Sequence, residues 1–125
     1  MKIEFLKSGA PDCPLIRLSE FKPSEARALR RIAVQLARGR TPSVPLHEER
    51  GFHTIDGCQL VLERGEQDRG VSETGPLKFA WVLTRDSWLD VSGKIRPFSR
   101  ANSVGYQWLF ESGKIRILLS CDGHW

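Results

Sequence analysis

Cysteine is scarce in this chain. The three present, Cys13, Cys58 and Cys121, stand far apart. An odd count with no close pair argues against a disulfide framework, and reduced thiols in a cytoplasm are the simpler expectation. Long apolar runs are missing too: no stretch approaches the roughly 18 apolar residues of a membrane-spanning helix, so no membrane partner is expected. The first residues, Met1-Lys2-Ile3-Glu4-Phe5-Leu6, break their apolar run with Glu4 and soon meet Pro11, which is not the pattern of a signal peptide. No internal repeat, low-complexity tract or domain boundary stands out. There is no CxxC, HxxxH or HExxH, and no GxGxxG, Walker loop or GxSxG. No cofactor is therefore expected. No metal is expected either, because His47, His53 and Cys58 lack the close Cys/His pairs and the four ligands of structural zinc sites.

What remains is a globular profile. The chain has 125 residues, 40% hydrophobic and 27% charged, the size and composition of one domain over residues 1–125. A chain of this length buries about two thirds of its unfolded surface, enough for a core without staples.

The clearest element is a helix over about residues 23–38. Pro23 occupies a first-turn position, where its missing N–H costs nothing. Glu25 suits the dipole there. Ala26, Leu29, Ile32, Ala33 and Leu36 recur at helical spacing and mark a buried stripe. Gly39 lies just past the last turn, where a left-handed cap needs it. A second, shorter helix is expected over about residues 87–96. Trp88, Val91, Ser92 and Ile95 share one face, Asp86 is placed to cap, and Pro97 is placed to stop it. Gly93 weakens that reading, and a strand over residues 88–91 is the alternative.

The rest reads as strands. Residues 3–6 and 15–18 are short candidates. Residues 52–55 and 58–63 flank Asp56-Gly57, a strong hairpin signal. Residues 64–75 read as an exposed polar loop, and residues 77–84 as a long strand. Residues 105–110 and 114–120 form a last hairpin. The expected fold is α+β: an antiparallel sheet of hairpins with both helices packed on one face. The heavy face of that sheet carries Phe79 and Trp81, then Tyr106, Trp108 and Phe110, then Ile115, Ile117 and Leu119. The opposite face offers Ala80, Val82, Leu109 and Leu118, more apolar than a solvated face should be. Either loops or an edge strand cover it, or it meets a second copy of the chain or another protein.

Charge is concentrated. Between Lys22 and Arg40, six basic residues face one acid, so this segment carries +5 of the net +4 and the remainder sums to −1. On a helical wheel Arg27, Arg31 and Arg38 fall within about 40° of one another, opposite the apolar stripe, with Arg30 at their flank. Such a ridge either faces solvent or binds anions: an acidic protein, or nucleic acid phosphates without sequence preference. No helix-turn-helix, zinc finger or single-strand stacking motif supports a sequence-specific reader.

Two clusters carry potential chemistry. Cys58 and His53 flank the Asp56-Gly57 turn, as a thiol and a base would, but Cys58 is in phase with Leu60 and Leu62, as a small core residue would be. At the other end, Asp122, His124 and Trp125 either form a reactive tail or dock the indole on the sheet. The leading expectation is a non-enzymatic binding domain acting through the lighter sheet face or the arginine ridge. A small enzyme with its site near Cys58/His53 or Asp122–His124 is the alternative.

Overall fold

The computed structural model describes residues 1–125. Along the chain come β1 (Lys2–Leu6), β2 (Leu15–Ser19), α1 (Pro23–Ala37), β3 (Ser43–Pro45), β4 (His53–Thr54) and β5 (Gln59–Arg64). They are followed by β6 (Gly70–Gly75), β7 (Lys78–Leu83), α2 (Arg85–Ile95), β8 (Tyr106–Phe110) and β9 (Arg116–Ser120). Short 3-10 turns occupy Leu46–Glu48 and Arg96–Ser99. The class is α+β, with one long and one shorter helix as the sequence suggested.

The strands are not one antiparallel sheet. They form two mixed sheets, ordered β4-β1-β2-β9-β8 and β3-β5-β7-β6. The pairs β1/β4, β2/β9 and β5/β7 are parallel. The Asp56-Gly57 turn shows why. Both residues have the positive φ that such a turn demands, 55° and 73°, and the Cys58 N–H closes it onto the Ile55 carbonyl. Yet β4 does not pair with β5. The His53 and Ile55 N–H groups donate instead to Met1 and Ile3 of the first sheet, while β5 lies beside β7 in the second. The turn therefore links two sheets. Turn chemistry dictates the local path of the chain, not the partner of the strand that leaves it.

Part of the supposed loop over residues 64–75 is strand β6, antiparallel to β7. Its residues Ser72, Glu73 and Thr74 are polar and exposed because β6 is an edge strand. That composition hid it.

The inner faces of both sheets and the apolar stripes of both helices meet in one core of 27 buried side chains. Phe5 of the first sheet packs on Phe79 of the second, ring centroids 4.7 Å apart. Trp81 sits between Phe110 and Trp88 of α2, and the Trp88 indole N–H donates to the Glu63 carbonyl at 2.9 Å. Burying such rings supplies much of the apolar stabilisation. The stripe of α1 is buried as its spacing implied, and so is Trp88, Val91, Ser92 and Ile95 of α2. The cap of α2 is Thr84, not Asp86: the Thr84 hydroxyl accepts from the Ser87 N–H. Pro97 does not end the helix abruptly but lies in the 3-10 turn that follows it.

Candidate functional site

Helix α1 exposes one basic face. Arg27, Arg30 and Arg31 surround Val34 in a shallow concavity of about 370 Å³. The helix backbone places them, since residues at i, i+3, i+4 and i+7 project from one side. No carboxylate lies within ion-pair distance of any of the three, nor of Arg38 and Arg40. The single acid of the helix is engaged elsewhere. Glu25 Oε1 accepts from the Met1 ammonium at 2.8 Å and from the Lys22 N–H at 2.9 Å. Burial opposes ionisation of Glu25, but these two donors and their positive charge outweigh it and hold its carboxyl below the usual range. Arg38 belongs to the helix C-cap and does not line the concavity.

The structure adds members that the sequence did not suggest. Arg27 donates to the Ser99 carbonyl at 2.9 Å, which pins the 3-10 turn Arg96–Ser99 against α1. Arg96 opens that turn and Arg100 follows it; both are exposed and lack an acidic partner. About sixty residues separate them from the end of α1, so linear charge counting does not join them.

The four residues expected to form a light sheet face do not share one. Ala80 and Val82 are half-buried on the outer face of the second sheet. Leu109 is in the core, because a bulge between Trp108 and Phe110 shifts the phase of β8. The same shift turns Tyr106 and Trp108 outward, so Tyr106 is 50% exposed and not a core residue. Leu118 faces outward as alternation implies, yet it is fully buried.

What lies over that outer face is the C-terminal tail. The Ser120 hydroxyl donates to the His124 carbonyl at 2.6 Å and accepts from the Gly123 N–H at 3.0 Å. Arg17 donates to the Gly123 carbonyl and to Glu4. The Trp125 indole donates to Asp12 at 3.0 Å, with the Arg17 guanidinium 5.8 Å from its ring centroid. Tyr106, Trp108 and Trp125 thus line one hollow of about 500 Å³ with Arg17, Asp12 and His124. The arginines beside its rings are paired, Arg17 with Glu4 and Arg116 with Asp12. Asp122 accepts the His124 N–H, which holds its carboxyl below the usual range. These bonds tie the tail down.

No family model, curated protein or solved structure matches this chain.

Cys58 and His53, the candidate thiol and base, stand in different settings. Cys58 is fully buried. Burial, with a smaller effect of the Glu4 charge, pushes its thiol up to about 11, the wrong direction for a nucleophile. His53 is exposed on β4. His47 Nδ1 accepts the Leu60 N–H at 3.1 Å, a structural bond between the first 3-10 turn and β5. No three His, Cys, Asp or Glu side chains converge on one point that a metal ion would fill. No helix is long and apolar enough to cross a membrane.

Proposed function

We propose that this chain is a non-enzymatic, cytoplasmic binding module that recognises an acidic protein surface through α1. One observation carries the reading: Arg27, Arg30 and Arg31 ring an exposed hollow around Val34 with no carboxylate to neutralise them. Arginine forms bidentate bonds to carboxylates and is less strongly hydrated than lysine, so it suits protein interfaces. Val34 supplies the apolar centre that such contacts surround. The three free thiols, Cys13, Cys58 and Cys121, suit a reducing compartment.

Nucleic acid is the weaker reading because the two ingredients of single-strand binding lie on different elements. Free cations on α1 ring a hollow that no aromatic side chain lines, while Tyr106, Trp108 and Trp125 sit among cations already paired with Glu4 and Asp12. Stacking platforms work beside a positive groove, not apart from it.

Fluorescence anisotropy with labelled poly-L-glutamate and with oligo(dT) tests this. Polyglutamate is expected to bind with an affinity that falls as salt rises. Arg31→Glu breaks no bond within the protein, and it should weaken that binding roughly three- to tenfold with no change in melting temperature. Tighter binding to oligo(dT), or indifference to Arg31→Glu, would overturn the proposal.

A further inference from the structure

The two sheets do not close against each other at every side. Where β1 and the start of β9 meet the β6–β7 hairpin they leave a cleft of about 900 Å³. That volume is within the usual range for small-molecule sites. Phe5, Val71, Leu77 and Ile115 form its apolar walls, with Pro14 and Pro76 beside them. Phe5 in turn rests on Phe79 of the core, so the cleft is continuous with the apolar interior. Two lysines, Lys7 and Lys114, are in its lining, both exposed and neither in an ion pair. The one acid of the lining, Glu73, accepts the Leu77 N–H at 3.4 Å and keeps its charge, so the two lysines leave the lining with a net charge of +1.

Leu77 marks the cleft in a second way. It holds φ at +57° in the turn between β6 and β7, a conformation for which glycine or asparagine is the usual residue. A leucine tolerated there trades backbone strain for an apolar wall, and strained residues gather at ligand sites more than elsewhere.

We infer that this cleft binds a single-chain amphiphile with an anionic head, of the class of a free long-chain carboxylate. The chain would lie along Phe5, Val71, Leu77 and Ile115, and the carboxylate would meet Lys7 and Lys114. A cationic head would meet two like charges against the single carboxylate of Glu73, and an uncharged one would gain nothing from the net positive charge. This site is separate from the α1 face, so the two proposals stand or fall independently.

The experiment is calorimetric titration of the whole chain with dodecanoate below its micellar concentration, with dodecanol and dodecyltrimethylammonium in parallel. One dodecanoate per chain is expected, with the other two binding more weakly. Lys7→Glu/Lys114→Glu alters only exposed side chains and should weaken dodecanoate binding roughly tenfold, leaving the circular dichroism spectrum unchanged. Val71→Trp, which fills the cleft, should abolish it. Binding of dodecyltrimethylammonium as tight as that of dodecanoate would overturn the inference. So would an unaffected double lysine variant, or retention on anionic phospholipid vesicles without any uptake of dodecanoate.

Discussion

Glu25 joins three segments through one carboxylate. It accepts from the ammonium of Met1, which is itself fully buried, and from the N–H that precedes α1. The sequence shows Glu25 only as a favourable charge in a first helical turn; its partner lies 24 residues away and belongs to another element. Its pH dependence follows from the direction of its shift. The folded-state pKa lies below the 4.5 of an ordinary glutamate, so the stabilisation is complete above that value and is lost as pH falls through the folded pKa. Glu25→Gln should cost about 1–3 kcal/mol near neutral pH, the usual cost of leaving charged hydrogen bonds incomplete. Urea titrations should show the gap between variant and wild type narrowing as pH falls below the ordinary glutamate range. A gap that stays constant would mean that shape, not charge, holds the Met1 contact. Cys58 is the opposite case. Its phase with Leu60 and Leu62 revealed a core residue from the sequence, because strand alternation alone decides which way a side chain points.

At the scale of elements, legibility followed locality. The apolar stripe of α1 and its Gly39 terminus depend on residues within a few turns of one another, and both were readable. The true cap of α2 was readable in principle as Thr84 three residues before Ser87, but Asp86 offered a nearer competitor. The bulge in β8 leaves no signal in the sequence, so simple alternation puts Tyr106 and Leu109 on each other's faces. Two glycines separate turn from helix by experiment. An added Cβ would meet nothing within 4 Å at either Gly57 or Gly93. Gly57 has φ +73°, where a side chain costs about 1 kcal/mol. Gly93 lies inside α2, where alanine is better than glycine by about 0.5–1 kcal/mol. Alanine substitution should therefore lower the denaturation midpoint at Gly57 and raise it at Gly93. The same sign at both positions would contradict the backbone described for one of them.

Over the whole molecule, the partition of strands into two mixed sheets was the least legible property. Parallel pairing of β2 with β9 joins residues about a hundred positions apart, and nothing local encodes such a choice. The consequence is that the outer face of the first sheet needs a cover, and the tail provides it. Leu118 is fully buried yet stands apart from the main core. Its neighbours across the strands are Arg17 and Trp108, and Gly123 and Trp125 meet the same Arg17. Removing residues 123–125 would expose Leu118 and free Ser120, Arg17 and Asp12 to water. Polar groups released to solvent lose little, whereas an uncovered leucine loses about 1.5–3 kcal/mol. A truncated chain should therefore unfold at lower urea, by roughly 2 kcal/mol, and still bind polyglutamate with unchanged affinity, because α1 touches none of these groups. If truncation instead abolishes binding while stability holds, the recognition surface is the aromatic hollow of Tyr106, Trp108 and Trp125, and the arginines of α1 are only its solvated far side.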